Sequence, residues 1–141
     1  MQAHIIQSAI HNDIHALRVL LSKGVDVNAL MLSGESLFHS VISLSCSLDV
    51  IRLFLAHGAD VNVENSNRFT AISMAVMLGD QALLSLLLSV KNLDVDHANL
   101  AGFTALHYAV LFGDESIISL LKSAGANDQI KNNMGEVPFS L

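Results

Sequence analysis

The chain has 141 residues, 52% of them apolar and only 14% charged, with a net charge of −6 and a single cysteine. That length suffices for one domain with a core of its own. The negative balance and the lack of a basic cluster exclude a surface that clamps a nucleic-acid backbone, and Cys46 alone cannot close an internal disulfide. A lone thiol fits a reducing compartment, cytosol or nucleus. The longest apolar stretch, Ala71 to Val90, is broken by Gly79, Asp80 and Gln81. An aspartate at mid-bilayer is costly, so no membrane span is read there. Residues 1–13 lack the basic start and long apolar run of a signal peptide.

In chain order the predicted elements come in pairs. Helices are expected over Ile5–His11 and Ile14–Ser22, then over Leu37–Leu44 and Leu48–Ala56. Ala71–Leu78 and Gln81–Val90 form the third pair, and Ala105–Phe112 and Glu115–Ser123 the fourth. The only proline, Pro138, suits the first position of a further helix, where its missing N–H costs nothing. None of these helices exceeds about ten residues, too short to persist alone in water. Each pair must be held by its neighbours, which is the logic of a solenoid.

The period is written in the glycines. Gly24, Gly58 and Gly125 follow leucine-rich runs; Gly34, Gly102 and Gly135 precede helix starts; Gly79 and Gly113 sit in apolar stretches before aspartate. Their separations are one or two steps of 33–34 residues. Ser36, Thr70 and Thr104, each 34 apart, suit helix N-caps, with Ala3 and Val137 in the same slot at the ends. The reading is one all-α domain over 1–141, with repeats at about 1–33, 34–67, 68–101 and 102–134 and a partial unit at 135–141.

These motifs resemble the ankyrin repeat family. Thr104-Ala105-Leu106-His107-Tyr108-Ala109 is similar to the family's T-P-L-H-x-A signature. His57-Gly58-Ala59-Asp60-Val61-Asn62 and Gly24-Val25-Asp26-Val27-Asn28 are similar to its G-A-D-V-N end, and Ser36-Leu37-Phe38-His39 and Thr70-Ala71-Ile72-Ser73 are weaker copies. The resemblance covers essentially the whole chain and implies an ankyrin-repeat solenoid of stacked helix–turn–helix units with hairpin-like loops. There are departures. One extra residue falls near Ser45–Ser47 and another near Lys91–Asn92, and Arg68 stands where the turn glycine belongs. The first unit opens on Ala3-His4-Ile5-Ile6, and Ile5, Ile6 and Ile10 are apolar for an end cap, as in a stack that continues upstream within a longer parent.

By resemblance, the binding slots lie one, three and four residues before each cap and seven and eight after it. They comprise Leu32, Ser33, Glu35, Ser43 and Leu44; Ser66, Asn67, Phe69, Met77 and Leu78; and Leu100, Ala101, Phe103, Leu111 and Phe112. Such slots are usually polar when idle, and an apolar patch on adjacent units marks an interface. The expected protein-binding residues are therefore Leu32, Leu44, Phe69, Met77, Leu78, Leu100, Phe103, Leu111 and Phe112, docking a helix or extended apolar segment of a partner. The loop tip Ala29-Leu30-Met31-Leu32 is a second contact candidate, for self-association as well as for a partner.

Chemistry finds little footing. By resemblance His39 and His107 are structural, bonding the cap hydroxyl and backbone between repeats. His57 can meet the last carbonyls of its helix. His11 and His15 are separated by the turn at Asn12-Asp13, so they make no zinc pair. No strained nucleophile turn or phosphate-binding glycine loop is visible, and Cys46 sits in a turn open to solvent with no cation beside it. No metal, cofactor or catalytic group is assigned. Asn28 and Asn62 resemble the asparagines hydroxylated in ankyrin hairpins and are candidate modification sites. The functional expectation is a protein-interaction adaptor, not an enzyme; the alternative is the substrate-recognition part of a larger enzyme or of a pathogen effector acting in host cytosol.

Overall fold

The computed structural model describes residues 1–141. Its helices are α1 (Gln2–Ile10), α2 (Ile14–Leu21), α3 (Leu37–Ser43), α4 (Leu48–Ala56), α5 (Ala71–Leu78), α6 (Gln81–Leu88), α7 (Ala105–Phe112) and α8 (Glu115–Ser123). A 3-10 turn, Pro138–Ser140, follows, with Pro138 at its start. The odd-numbered helices stack in one layer that the final turn extends, and the even-numbered ones stack in a second. No helix is long and apolar enough to cross a membrane.

Local chemistry sets most boundaries. Asp13, Ser47, Asp80 and Asp114 each accept an N–H from the first turn of the helix that follows. Gly79 and Gly113 end α5 and α7 in the left-handed region, at φ 66° and 70°. Where the earlier units have no glycine, Asn12 and Ser45 take positive φ instead. Several expectations are corrected. Helix α1 starts at Gln2 on Met1, so Ala3 is helical and not a cap. Thr70 precedes α5 but accepts no backbone N–H, its hydroxyl meeting only Ser73 Oγ at 3.4 Å. Four helices stop short of the expected ends, at Ile10, Leu21, Ser43 and Leu88, because His11, Ser22, Leu44 and Ser89 already serve as C-caps.

One continuous core runs between the layers, with Ile5, Leu17, Phe38, Phe54, Ile72, Leu84, Leu106 and Ile117 fully buried. Each such side chain contributes roughly 1.5–3 kcal/mol by leaving water. Ile5 belongs to this core, Ile6 is half-buried and Ile10 is exposed. Cys46 is half-buried against the same core rather than open, and burial pushes its thiol pKa up.

Polar bonds tie the units together. His39 Nε2 donates to the Val63 carbonyl at 3.0 Å and His107 Nε2 to the Glu136 carbonyl at 3.0 Å, each reaching into the next unit. A carbonyl only accepts, so each ring carries its proton on Nε2 and its Nδ1 accepts from the cap residue's N–H, at 3.2 Å from Ser36 and 3.0 Å from Thr104. In the loops, Asn28 Nδ2 donates to the Gly58 carbonyl at 2.8 Å while its Oδ1 accepts from Asp60 N at 2.8 Å. Asn62 repeats this one unit on, with the Asn92 carbonyl at 2.7 Å and Asp94 N at 2.8 Å.

The tips are close-fitted at the end of the stack. A Cβ on Gly102, at φ 82°, would lie 2.8 Å from the Asn133 amide nitrogen and 2.9 Å from Asn132 Cα. Arg68 adopts φ 63° in the glycine slot, and its guanidinium holds Glu64 at 2.6 Å within the same tip. Backbone bonds join neighbouring tips through Ser66 N to Gly34 O and through Asn133 N to Ala101 O, whereas none joins the Asn65–Phe69 tip to the Asn99–Phe103 tip.

Candidate protein-binding groove

The residue before each cap is held identically along the stack. Met31 N donates to Glu35 O, Asn65 N to Phe69 O, Asn99 N to Phe103 O and Asn132 N to Glu136 O, at 2.8 to 3.0 Å. One row therefore reads acid, aromatic, aromatic, acid. The two aromatics are not free side chains, as the slot pattern implies, but half-buried. Tyr108 is the reason. Its ring lies 6.2 Å from Phe69, 5.2 Å from Phe103 and 6.1 Å from Phe112, and its hydroxyl accepts from Asn99 Nδ2 at 2.6 Å. Phe103 also stacks on His107 at 5.4 Å. Edge and tilted pairs of this kind add about 0.5–1.5 kcal/mol each beyond simple burial.

A second row is open. Leu44, Leu78 and Phe112, each eight residues past a cap, are 50%, 47% and 54% exposed, beside equally open Met77 and Leu111. They sit at or next to the C-terminal ends of α3, α5 and α7. Phe69, Met77 and Leu78 line a common open cavity of about 280 Å³ together with Glu35, Asn65 and Met74. Phe69, Phe103, Tyr108 and Phe112 thus join the first row to the second.

Other expected residues fall outside this cluster. Leu32 is 109% exposed at its tip and nothing in the chain packs on it; Leu100 is 66% exposed at the Asn99–Phe103 tip. Leu30 is exposed and Met31 half-buried, so the first tip keeps only part of its apolar surface free. Asn28 and Asn62 are half-buried and committed to the loop ladder. The sequence pattern missed Tyr108, which occupies the variable position of its signature, four residues past the cap; that spacing, on the face of Phe112, was the available signal.

Two further histidines bond a carbonyl four residues back. His11 Nδ1 donates to the Gln7 carbonyl at 2.8 Å and His57 Nδ1 to the Leu53 carbonyl at 2.9 Å. His97 is 13% exposed and its Nε2 lies 3.1 Å from Glu64 Oε1, without the alignment of a good hydrogen bond. The Arg68 hydrogen bond first, and the nearby His97 ring second, hold the Glu64 carboxyl below the usual carboxylate range.

The model of the ankyrin repeats matches residues 37–132 in three copies. The chain belongs to the ankyrin repeat family. The match begins at α3; the α1–α2 unit before it repeats the same helix–turn–helix plan. No curated protein matches the chain. Ankyrin repeats are in general protein–protein interaction modules and typically not catalytic ones.

Proposed function

We propose that this ankyrin stack is an adaptor whose open row captures a helix or an extended apolar segment of a partner protein. The observation that carries the reading is the unbroken apolar surface from Met77 and Leu78 across Phe69 and Tyr108 to Leu111 and Phe112. A soluble face has no use for half-exposed Leu, Met and Phe on consecutive units unless something covers them. Aromatic and methionine side chains supply most of the energy at interface centres, here arranged around a rigid Tyr108. Partner docking by helix in groove reads such anchors at helical spacing.

The test is capture by the intact chain against a Leu78→Ser/Phe112→Ser double variant. Both side chains are about half in solvent. The variant is expected to keep the wild-type circular dichroism spectrum and a cooperative urea transition while losing the retained partner. Equal capture by both proteins rejects the groove.

A further inference from the structure

The row before the caps carries a charge as well as an apolar surface, and the charge is unanswered. Glu35 Oε1 accepts from Asn65 Nδ2 at 3.1 Å and Oε2 from Ser43 Oγ at 3.4 Å, both neutral donors. No lysine, arginine or histidine of the chain forms an ion pair with it. Neither its loop, residues 29–35, nor α3 contains a lysine or arginine. The nearest tip cation along the stack, Arg68, is already bound to Glu64 at 2.6 Å. At the opposite end of the row Glu136 Oε1 accepts from Asn132 Nδ2 at 3.1 Å, with Lys131 in the same loop.

The Glu35 carboxylate is also a wall of the 280 Å³ cavity that Phe69, Met74, Met77 and Leu78 line. Carboxylate and apolar anchors therefore face the same occupant. We propose that this occupant is a partner segment with an arginine or lysine placed about one helical turn, ~5 Å, from a large apolar residue. The cation pairs with Glu35 and the apolar side chain enters between Phe69, Met77 and Leu78. A carboxylate in a half-enclosed site gains a charge-assisted bond, bidentate with arginine, that neither Asn65 nor Ser43 supplies. The net charge of −6 favours approach of a basic segment. The inference rests on the groove being the binding surface, and the cavity shared by Glu35, Phe69, Met77 and Leu78 is what places the basic residue there.

A random peptide library selected against the intact chain tests it, with the selected peptide resynthesised and its affinity measured by fluorescence anisotropy. Glu35→Gln keeps an oxygen for Asn65 and changes only charge; Glu35→Lys inverts it. Selected peptides should carry Arg or Lys one turn from Leu, Met or Phe, bind Glu35→Gln about tenfold more weakly, and be rejected by Glu35→Lys. Winners without a cation bias, or affinity unchanged in Glu35→Gln, overturn the basic partner and leave the groove standing. Winners bound equally by the Leu78→Ser/Phe112→Ser variant, or no winners at all, overturn both. Sedimentation as a dimer that the same double variant disperses makes the occupant a second copy of this chain and overturns the proposal.

Discussion

Asp96 accepts the Asn127 backbone N–H at 2.8 Å and has no hydrogen to return. It fills the slot where Asn28 and Asn62 both accept and donate, so the Gly125 carbonyl, the counterpart of Gly58 and Asn92, receives no bond. The last rung of the loop ladder is half made. Asp96→Asn should complete it and raise the unfolding free energy by about 1 kcal/mol, read from the urea midpoint at constant slope. The mirror change, Asn62→Asp, removes a donor from the Asn92 carbonyl and should lower stability by a similar amount.

Thr70 and Thr104 hold the same register but not the same bonds. Thr104 Oγ1 accepts His107 N at 3.4 Å and meets His107 Nδ1 at 2.9 Å, whereas Thr70 reaches only a hydroxyl. Thr104→Val should cost about 1–2 kcal/mol in thermal or urea unfolding, and Thr70→Val less than half of that. Equal losses would mean that Thr70 does cap α5 in solution.

Phe103 and Phe112 separate folding from binding. Phe103 is half-buried between His107 and Tyr108, so Phe103→Ser should cost about 2 kcal/mol. Phe112 touches Tyr108 with one face and water with the other, and Phe112→Ser should cost under about 1 kcal/mol. Urea titrations of the two single variants check the ordering.

Burial raises the Cys46 pKa, so less thiolate is present near neutrality than in free cysteine. Alkylation by iodoacetamide at about pH 8 should run several-fold slower in the folded chain and reach the free rate in urea. The linkage has a sign: folded stability is unaffected below the unfolded thiol pKa of about 8.5 and falls as pH rises above it. Cys46→Ala should flatten that alkaline limb.

Glu64 titrates the other way. Its folded pKa is lowered by Arg68 and then His97, so the stabilisation is present above the unfolded carboxylate value of about 4.3 and is lost as pH falls through the folded value. The carboxylate is partly solvated, so the effect is small. Glu64→Gln should leave neutral stability nearly unchanged and shallow the acid limb of a pH–stability curve.

The repeat plan was legible because its signals act within a few residues. Ser36 with His39 and Thr104 with His107 spell out capping boxes whose partners are three positions away. Arg68, out of pattern for a glycine slot, nonetheless adopts the glycine's left-handed geometry and is steadied by Glu64 four residues earlier. Legibility failed where the same letter meets different neighbours. Thr70 looks like Thr104, but Ser73 replaces the histidine that completes the box. Phe69 and Phe103 look like Phe112 by slot, yet the first two are half-buried beside Tyr108, while Phe112, against the same ring, stays half in solvent.

By itself, then, the sequence determined the period, the helix pairs and the family, because left-handed turns, caps and leucine runs are demanded by bonds each segment makes locally. Tertiary structure alone decided which apolar slots remain open, and that Glu35 shares a cavity with Phe69, Met77 and Leu78. Exposure and charge compensation depend on side chains one unit, some thirty residues, away, and spacing along the chain does not encode where those side chains turn.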